Sequence, residues 1–475
     1  MSTTTAQLRK AGRTPPETVE VALGQSETLH IDGWLRILPG KRLVGRGQWQ
    51  GRQVLAKLFI ANGAERHWQR ESVGIQALQR AGLPTPDLLV SGELPGGGYY
   101  LLTEFLLGSQ NLQECWEALT DPSTDSRDAC AILLEAIEII AHMHVQGLAQ
   151  ADLHLANFLR HGDVLHVIDG DAIEVQEPGK PLKPSVSLSN LALFFAQFDA
   201  RWDRYIDSLL KVYQSINPLP DIDRRKLDAA IRNIRQQRLN SFLDKALRDC
   251  SQFAVARSAR YFRVVLRSEQ QALAPLLADP DQFFTGEPLL KDGGSATVTR
   301  ATVNGRELVI KRYNIKGPGH WLKRFWRPSR AWHSWLAGWR LSFLGITTPQ
   351  PLAMIERRIG PLRRQAWLVT EYCPGQSLLG HLGEEGDCIP DATTADAMLY
   401  SFGQLADARI SHGDFKATNQ LWHDGKVWLI DLDAMQAHGD QASWHKEWLR
   451  DRSRFIRNWP SGSQLAEWLE QTLPR

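Results

Sequence analysis

Residues 151–157 read Ala-Asp-Leu-His-Leu-Ala-Asn, and residues 413–419 read Gly-Asp-Phe-Lys-Ala-Thr-Asn. Each heptapeptide places an aspartate five residues before an asparagine, and another aspartate follows that asparagine by twelve residues. The later aspartates stand in Val-Ile-Asp-Gly-Asp at 167–171 and in Leu-Ile-Asp-Leu-Asp at 429–433. Because residue types and both spacings repeat, the sequence predicts that the chain contains the same structural unit twice.

Two further blocks repeat in the same order upstream of these motifs. Residues 82–89 (Gly-Leu-Pro-Thr-Pro-Asp-Leu-Leu) match residues 345–352 (Gly-Ile-Thr-Thr-Pro-Gln-Pro-Leu). Residues 101–105 (Leu-Leu-Thr-Glu-Phe) match residues 368–372 (Leu-Val-Thr-Glu-Tyr). Four matched blocks in one order argue against two unrelated domains that merely share similar turns.

Strand patterns precede helical patterns in each half, which indicates an α+β fold with a small β-rich lobe and a helical large lobe. In the second half, Asn304-Gly305 is a strong hairpin signal because both positions tolerate positive φ; the strand that follows carries Lys311. In the first half, the corresponding strand carries Lys57, and Ala129 to Gln146 is a predicted helix.

The segment from Leu188 to about Leu277 has a helical pattern and few glycines, and it joins the two halves. The predicted organisation is an N-terminal extension at 1–30, a first domain at 31–245 and a second domain at 246–475.

Composition points to an ordinary protein of the reducing cytosol. The net charge of +2 gives no reason to expect nucleic-acid binding. The five cysteines are scattered and form no Cys-x-x-Cys pair, so we expect neither disulfides nor a zinc site. The first residues lack the apolar core of a signal peptide, and no stretch is apolar enough to span a membrane.

The repeated residue types are those that phosphoryl transfer from ATP requires: a cation for the phosphates, oxygen ligands for Mg²⁺ and a carboxylate for the attacking hydroxyl. In the first half, Lys57 is the predicted phosphate-binding lysine, and Glu71, in a helical run from Glu65 to Arg80, is its predicted ion-pair partner. Glu65 competes with Glu71 for that role. Asp152 is the predicted acceptor of the substrate's hydroxyl proton. The remaining predicted nucleotide and metal contacts of this half are Gly45, Gly47, Glu104, Asn157 and Asp169.

The second half repeats most of this set. Its predicted nucleotide and metal contacts are Gly293, Gly294, Lys311, Glu371, Asn419 and Asp431, and Asp414 is its predicted catalytic carboxylate. Lys416 either reaches the transferred phosphate or is a solvated loop lysine. No acidic residue occurs from Tyr313 to Ile355, and alignment of the repeats puts Ser334 opposite Glu71. Unless another acid reaches Lys311, we expect this half to be slow, regulatory or inactive, with the first half doing most of the chemistry.

The same acid-free stretch is basic and rich in tryptophan, from Lys316 to Arg340. Such a segment suits an anionic membrane surface or a phosphate-rich glycolipid. Alternatively, its tryptophans pack inside the small lobe and its cations are solvated.

Through the loops at 151–157 and 412–419 and the motifs at 168–171 and 430–433, the sequence resembles the bacterial lipopolysaccharide core kinases that phosphorylate heptose or Kdo. The resemblance covers roughly residues 35–250 and 280–440, and it implies two tandem protein-kinase-like domains. It further implies ATP and Mg²⁺ as cofactors and an inner-core sugar as acceptor. The location it implies is cytoplasmic, at the inner face of the inner membrane.

Two other functional classes remain open. One is a Ser/Thr/Tyr protein kinase, although neither half has an Ala-Pro-Glu motif after its metal-binding aspartate. The other is a pseudokinase scaffold with one or both domains inactive, against which the complete set in the first half argues.

Overall fold

The computed structural model describes residues 3–24, 27–119, 126–218, 221–285, 289–314 and 327–475. The chain divides into two compact units, Met1–Gln236 and Gln237–Arg475. The division falls inside a helix, Arg224–Lys245, whereas the sequence placed the boundary at the end of that helix.

The first unit combines one large antiparallel sheet with a set of helices. Its helices are α1 Thr5–Ala11, α2 Glu65–Arg80, α3 Leu112–Glu117, α4 Arg127–Val145, α5 Pro184–Phe195, α6 Ile206–Ile216 and the beginning of α7 Arg224–Lys245. Its strands are β1 Val19–Ala22, β2 Thr28–Leu38, β3 Arg42–Trp49, β4 Arg52–Phe59, β5 Leu88–Glu93, β6 Tyr99–Glu104, β7 Gln110–Asn111, β8 Leu148–Gln150, β9 Phe158–His161, β10 Val164–Val167 and β11 Ile173–Val175. The large sheet has the order β1-β2-β3-β4-β6-β5.

Alternation of side chains across strand β4 determines where its lysine points. Val54, Ala56 and Leu58 are buried in the sheet core, so Lys57 projects from the opposite face. The helical part of the unit has its own core, in which Ile137, Ile140 and other apolar residues of α4 pack against α5 and α6.

The N-terminal residues are part of the first unit. Strand β1 pairs with β2 in the large sheet, and Leu8 of α1 is buried with Val19 and Val21 in the same core. The expectation of a separate extension at residues 1–30 is therefore wrong for the residues that the structure describes. The sequence did not predict this strand because Val19–Ala22 has only four residues, too few for a clear alternation of apolar and polar side chains.

The second unit has a similar order of elements. Its helices, after the end of α7, are α8 Ala274–Ala278, α9 Arg330–Phe343, α10 Leu378–Leu382, α11 Ala392–Asp407, α12 Gln441–Ile456 and α13 Gln464–Thr472. Its strands are β12 Phe253–Arg257, β13 Tyr261–Leu266, β14 Leu289–Asp292, β15 Ala296–Val303, β16 Arg306–Tyr313, β17 Pro351–Ile359, β18 Leu362–Glu371, β19 Gln376–Ser377, β20 Ile410–Ser411, β21 Gln420–His423, β22 Lys426–Leu429 and β23 Gln436–Ala437. The large sheet has the order β12-β13-β17-β18-β16-β15-β14.

Strands β12 and β13 contradict the prediction that the chain is helical from Leu188 to Leu277. They form an antiparallel hairpin at the edge of the second sheet, with Phe253, Phe262 and Val264 buried. Three core residues at the end of α7 and just after it, Leu239, Leu243 and Ala246, pack against this sheet. The predicted Asn304-Gly305 hairpin is confirmed, because both residues have positive φ, 51° and 77°.

Both units therefore mix helix and sheet, with an antiparallel sheet early in the unit and a helical part later. In each unit a helix follows the lysine-bearing strand, α2 after β4 and α9 after β16. In the described part of the chain, no helix is long and apolar enough to cross a lipid bilayer.

Candidate active sites

The strand lysine and the helix glutamate of the first unit are in direct contact. Lys57 Nζ lies 2.5 Å from Glu71 Oε1, and the Glu71 side chain is only 1% exposed. The carboxylate of Glu71 also accepts hydrogen bonds from the backbone N–H groups of Gly170 and Asp171. Glu65, the competing candidate, instead hydrogen-bonds Gln69 on the same helix. The lysine is thus held between the helix and the loop that carries Asp169.

Helix α2 approaches this loop at two glycines. A Cβ atom on Gly74 would lie 2.0 Å from the carbonyl oxygen of Gly170, and a Cβ on Gly170 would lie 2.4 Å from the carbonyl oxygen of Glu71. These separations are far below van der Waals contact, so the helix and the loop can meet only without side chains at both positions.

Asp169 completes the ionic cluster around Lys57. Its Oδ1 lies 3.4 Å from Lys57 Nζ, and its backbone is left-handed, with φ of 70°. Burial raises the pKa of Asp169, but Lys57 and Arg42 outweigh burial, and the net pKa is lowered. The next acid, Asp171, faces other cations: its carboxylate lies 3.7 Å from Arg42 Nη1 and 3.3 Å from Arg70 Nε.

The loop that carries Asp152 is tied to Asn157 and to the strand before Asp169. Asn157 Nδ2 donates to the carbonyl of Asp152 at 2.6 Å, and the carbonyl of Asn157 accepts from Ile168 N at 2.9 Å. The Asp152 side chain is 74% exposed, and its one ionic neighbour among the described residues is His154, at 3.6 Å. This carboxylate is therefore open to an incoming hydroxyl group.

Two residues that the sequence analysis missed hold the Asp152 loop in place. Gln150 is fully buried and donates from Nε2 to the carbonyl of Ile168 at 2.8 Å. Asn190 on α5 donates to the carbonyl of Gln150 at 2.8 Å and contacts the ring of His144 at 3.0 Å. A polar residue two positions before the motif aspartate is a signal that could have identified Gln150; Asn190 has no comparable signal.

In the second unit, Lys311 contacts two aspartates. Its Nζ lies 2.6 Å from Asp431 Oδ1 and 2.9 Å from Asp433 Oδ1. Ser334 on α9 and Tyr313 on β16 both donate hydroxyl hydrogen bonds to Asp433 Oδ1, at 2.8 and 2.7 Å. Burial raises the pKa of Asp431, but Lys311 lowers it more, so the carboxylate stays ionised. The lysine thus has a second acid despite the missing helix glutamate.

The catalytic-loop aspartate of the second unit has cationic neighbours. Asp414 Oδ1 lies 2.6 Å from Arg454 Nη2 and 3.4 Å from Lys416 Nζ. Asn419 Nδ2 donates to the carbonyl of Asp414 at 2.8 Å, as Asn157 does to Asp152. The sequence analysis named Lys416 but missed Arg454, which lies on α12, far along the chain from the motif.

A buried acid supports this second loop. Asp451 on α12 accepts backbone hydrogen bonds from His412 and Gly413, at 2.5 and 3.0 Å. His412 Nε2 lies 3.0 Å from the carbonyl of Ile430, the position that Gln150 Nε2 has relative to Ile168. Burial lowers the pKa of His412, and therefore favours the neutral ring.

The glycines predicted to cover the phosphates lie differently in the two units. Gly293 and Gly294 form the turn between β14 and β15, which leads into the lysine strand pair. Gly45 and Gly47 lie inside strand β3, and their contact with the phosphates stays a prediction; a Cβ on Gly47 would lie 2.1 Å from the carbonyl oxygen of His30 on β2. The turn between β2 and β3 instead contains Gly40, with φ of 65°.

Register supports the equivalence of Gly40 and Gly294. Val44 pairs with Lys57, and Val298 pairs with Lys311, across the two strand pairs. Gly40 and Gly294 each stand four residues before that valine. The Pro39-Gly40 dipeptide, a common turn signal, could have identified this position from the sequence.

Glu104 and Glu371 end equivalent strands, β6 and β18, beside the lysine strands. Glu104 pairs in register with Val54, and Glu371 with Leu308. The Glu371 carboxylate is held by Arg306, whereas the Glu104 side chain is exposed.

The described residues contain no cluster of three or more His, Cys, Asp or Glu side chains arranged to hold a metal ion. Mg²⁺ in ATP-dependent transferases usually takes one or two protein oxygens and completes its shell with phosphates and water. Asp169 with Asn157 and Asp431 with Asn419 supply such oxygens, since each asparagine uses its amide nitrogen on the catalytic loop. The donor set fits Mg²⁺ bound together with ATP.

The described tryptophans of the basic stretch belong to the core of the second unit. Trp335 and Trp339 are buried against Phe253, and Trp332 packs on Phe262. The packing interpretation therefore holds for these three residues. The predicted membrane-facing residues Lys316, Trp321, Lys323, Arg324, Phe325 and Trp326 lie outside the described residues.

Residues 299–469 match the model of the lipopolysaccharide kinase (Kdo/WaaP) family. No curated protein sequence matches the chain. A solved structure described as WaaP in complex with acyl carrier protein is similar at 20% identity and a TM-score of 0.33, and covers 43% of this chain and 87% of that chain. Over residues 299–469 the chain is thus similar to the lipopolysaccharide kinases, and the enzyme is an ATP-dependent phosphotransferase that acts on a sugar hydroxyl.

Proposed function

We propose that the protein transfers the γ-phosphate of ATP to a hydroxyl of an inner-core sugar of lipopolysaccharide, heptose or Kdo. One observation carries this proposal. The segment that matches the lipopolysaccharide kinase family contains Lys311, Asp414, Asn419 and Asp431, with Lys311 and Asp431 in contact and Asn419 bonded to the Asp414 loop.

Each residue has a role that its surroundings permit. Lys311 holds the ATP phosphates, and Asp414 orients the sugar hydroxyl and accepts its proton. Asp431 and Asn419 would hold Mg²⁺, which would supply positive charge to neutralise the phosphates. Lys416 and Arg454 flank Asp414 and supply positive charge on the acceptor side of the site.

The first unit repeats this arrangement with Lys57, Glu71, Asp152, Asn157 and Asp169, and we propose that it is a second kinase-like domain that binds ATP and Mg²⁺. Its open Asp152 and its buried lysine–glutamate pair are the features of an active phosphotransfer site. In this view the chain is a tandem of two protein-kinase-like domains, with Glu104 and Glu371 beside the adenine. Gly40 and the pair Gly293-Gly294 lie over the phosphates.

The acceptor determines where the enzyme works. An inner-core sugar is attached to a lipid, so we propose that the protein acts at the cytoplasmic face of the inner membrane and touches it peripherally. The basic and aromatic residues from Lys316 to Arg327 support this location through their charge and composition.

A direct test uses the purified full-length chain with ATP, Mg²⁺ and a series of truncated lipopolysaccharides as acceptors. We expect ADP release only with acceptors that keep the inner-core sugars, and mass spectrometry should find one added phosphate on heptose or Kdo. ADP release with protein acceptors and none with any truncated lipopolysaccharide would contradict the proposal.

A further inference from the structure

The second unit lacks the helix glutamate, yet its lysine is not short of carboxylates. Lys57 contacts Glu71 and Asp169, and Lys311 contacts Asp433 and Asp431. Each lysine therefore contacts one acid besides the presumed metal ligand. We propose that Asp433 positions Lys311 for ATP in place of the helix glutamate, which makes the second site a complete phosphotransfer site. This inference rests on the function proposed for the second unit.

Three pairs of equivalent positions around the lysines carry the comparison, and the third pair is aspartate in both units. The first pair lies two residues after the strand lysine, the second lies eleven residues before the repeated Gly82 and Gly345, and the third lies two residues after the metal-loop aspartate. These pairs are Phe59 and Tyr313, Glu71 and Ser334, and Asp171 and Asp433.

In the first unit Asp171, the residue equivalent to Asp433, does not pair with the lysine. Glu71 forms the ion pair with Lys57 and accepts hydrogen bonds from the backbone N–H groups of Gly170 and Asp171. Asp171 is paired with Arg42 and Arg70 instead. An aspartate two residues after the metal-loop aspartate therefore need not contact the strand lysine.

In the second unit the two other substitutions prepare a place for Asp433. Ser334 is short, so it leaves room beside Lys311, and its hydroxyl donates to Asp433 Oδ1. Tyr313 adds a hydroxyl where the first unit has the apolar ring of Phe59, and this hydroxyl donates to the same oxygen. Three donors therefore converge on Asp433 Oδ1, the third being Lys311.

These contacts hold the Asp433 carboxylate in one position beside Lys311. The side chains of Lys311 and Asp433 are 15% and 19% exposed, so solvent competes weakly for their charges. Arg330 on α9 lies 3.9 Å from the other oxygen, Oδ2. When Mg²⁺ and ATP engage Asp431, Asp433 remains as the acid that holds Lys311 at the phosphates.

The test uses the full-length chain with Asp152→Ala, so that only the second site contributes activity. Three variants are added to it: Asp433→Asn, Asp433→Ala, and Asp433→Ala combined with Ser334→Glu. The first removes the charge without changing the shape, and the last moves the carboxylate to helix α9, where the first unit has it. Asp171→Asn serves as the matched control at the equivalent position of the first unit.

We expect Asp433→Asn and Asp433→Ala to lower kcat/KM for ATP about 100-fold, the usual effect of misplacing a group that aligns the reactants. Ser334→Glu should restore at least a tenth of the original value in the Asp433→Ala protein. The melting temperature of Asp433→Asn should stay near that of its parent. If Asp433 were only structural, its replacement would lower the melting temperature, and Ser334→Glu would not restore activity. Asp171→Asn should leave kcat/KM unchanged.

Binding of MgATP, measured by calorimetry without acceptor, separates this inference from the proposed function. An inactive parent protein that binds MgATP, with weaker binding in Asp433→Asn, would overturn the sugar kinase and keep Asp433 as the positioning residue. Unchanged kcat/KM and MgATP affinity in a folded Asp433→Asn protein would overturn the inference. A folded Ser334→Glu combination that stays as inactive as Asp433→Ala would overturn it as well.

Discussion

The lysines of the two units have the same number of carboxylate partners, but those partners come from different elements. In the first unit the second acid comes from helix α2, and in the second unit it comes from the turn after Asp431. If Asp433 positions Lys311 as proposed, a missing motif residue does not by itself mark an inactive domain. The negative charge beside the lysine would then come from a different backbone position in each unit.

The predicted catalytic aspartates, Asp152 and Asp414, differ in the number of charged neighbours. Asp152 is largely exposed, and His154 is its ionic neighbour among the described residues, whereas Asp414 is flanked by Arg454 and Lys416. Two cations beside Asp414 favour an acceptor or a transferred group that carries negative charge.

The largest expected effect separates the two catalytic aspartates. Asp414→Ala should lower the rate of lipopolysaccharide phosphorylation about 10²–10⁴-fold, the usual contribution of a positioned acid or base. Asp152→Ala should leave most of this activity, because the family match lies in the second unit and Asp433 supplies the acid that Lys311 needs. The missing helix glutamate alone predicted the reverse order. Steady-state rates of both full-length variants decide the question: loss of activity in Asp152→Ala alone would restore the first unit as the working domain.

Metal dependence should be common to both units. ATP should raise the melting temperature only with Mg²⁺ present, because Asp169 and Asp431 reach the phosphates through the metal. Ligand at 100 times its dissociation constant stabilises a folded state by about 2.7 kcal/mol. Thermal-shift titrations of wild type, Asp169→Ala and Asp431→Ala measure the contribution of each site. Equal stabilisation by ATP with and without Mg²⁺ would refute the assigned metal ligands.

The stability of the first unit in acid should depend on His144. Burial lowers the pKa of His144 to about 4, although its contact with Asn190 raises it slightly. Because the unfolded chain takes up this proton near pH 6.5, stability should be full above that pH and decrease as the pH falls towards 4. The loss between pH 7 and pH 5 should be about 1–2 kcal/mol. The equivalent position in the second unit, eight residues before Asp414, is Ala406, but that unit has its own buried histidine, His412, whose pKa burial also lowers.

Melting curves of wild type and His144→Gln at pH 7 and pH 5 measure the contribution of His144 to the loss of stability in acid. The variant should melt lower at pH 7, since glutamine replaces a ring that contacts both Tyr213 and Asn190. Its melting temperature should change less between the two pH values than that of wild type. An identical pH dependence in both proteins would assign the acid sensitivity to other groups.

A further expected effect concerns the basic segment from Lys316 to Arg327. Replacement of Lys323, Arg324 and Arg327 by glutamine should weaken binding to anionic liposomes by about 1 kcal/mol per residue, and added salt should weaken it as well. Co-sedimentation with vesicles of anionic and of neutral lipid measures this. Binding that is indifferent to the substitutions would leave peripheral membrane contact without support from these residues.

Much of the local structure could be predicted from the sequence because it depends on neighbours along the chain. The helix from Glu65 to Arg80 has the predicted bounds, and Asn304-Gly305 forms the predicted hairpin. The hairpin of β12 and β13 could not be predicted because its short strands follow a long helical segment. Their apolar residues are buried only once β13 pairs with strand β17, which comes much later in the chain.

Contacts that depend on the fold could not be predicted from the sequence. The close approach of strand β2 to Gly47 is one such contact, because it depends on the pairing of β2 with β3. Arg454 and Asp451 reach the Asp414 loop from a helix that no spacing rule links to it. The contact of Asp433 with Lys311 depends jointly on Ser334 and Tyr313, so no single position in the sequence reveals it.

The glycine contact between Gly74 and Gly170 limits how the first unit can be switched off. Tilting helix α2 outward would withdraw Glu71 from two backbone N–H groups as well as from Lys57. Hydrogen bonds to a charged group contribute roughly 1.5–3 kcal/mol each, so this movement would cost a large part of a domain's stability. We therefore expect helix α2 and the loop that carries Asp169 to stay together, so that an inhibitor of this unit would compete for the nucleotide or the acceptor.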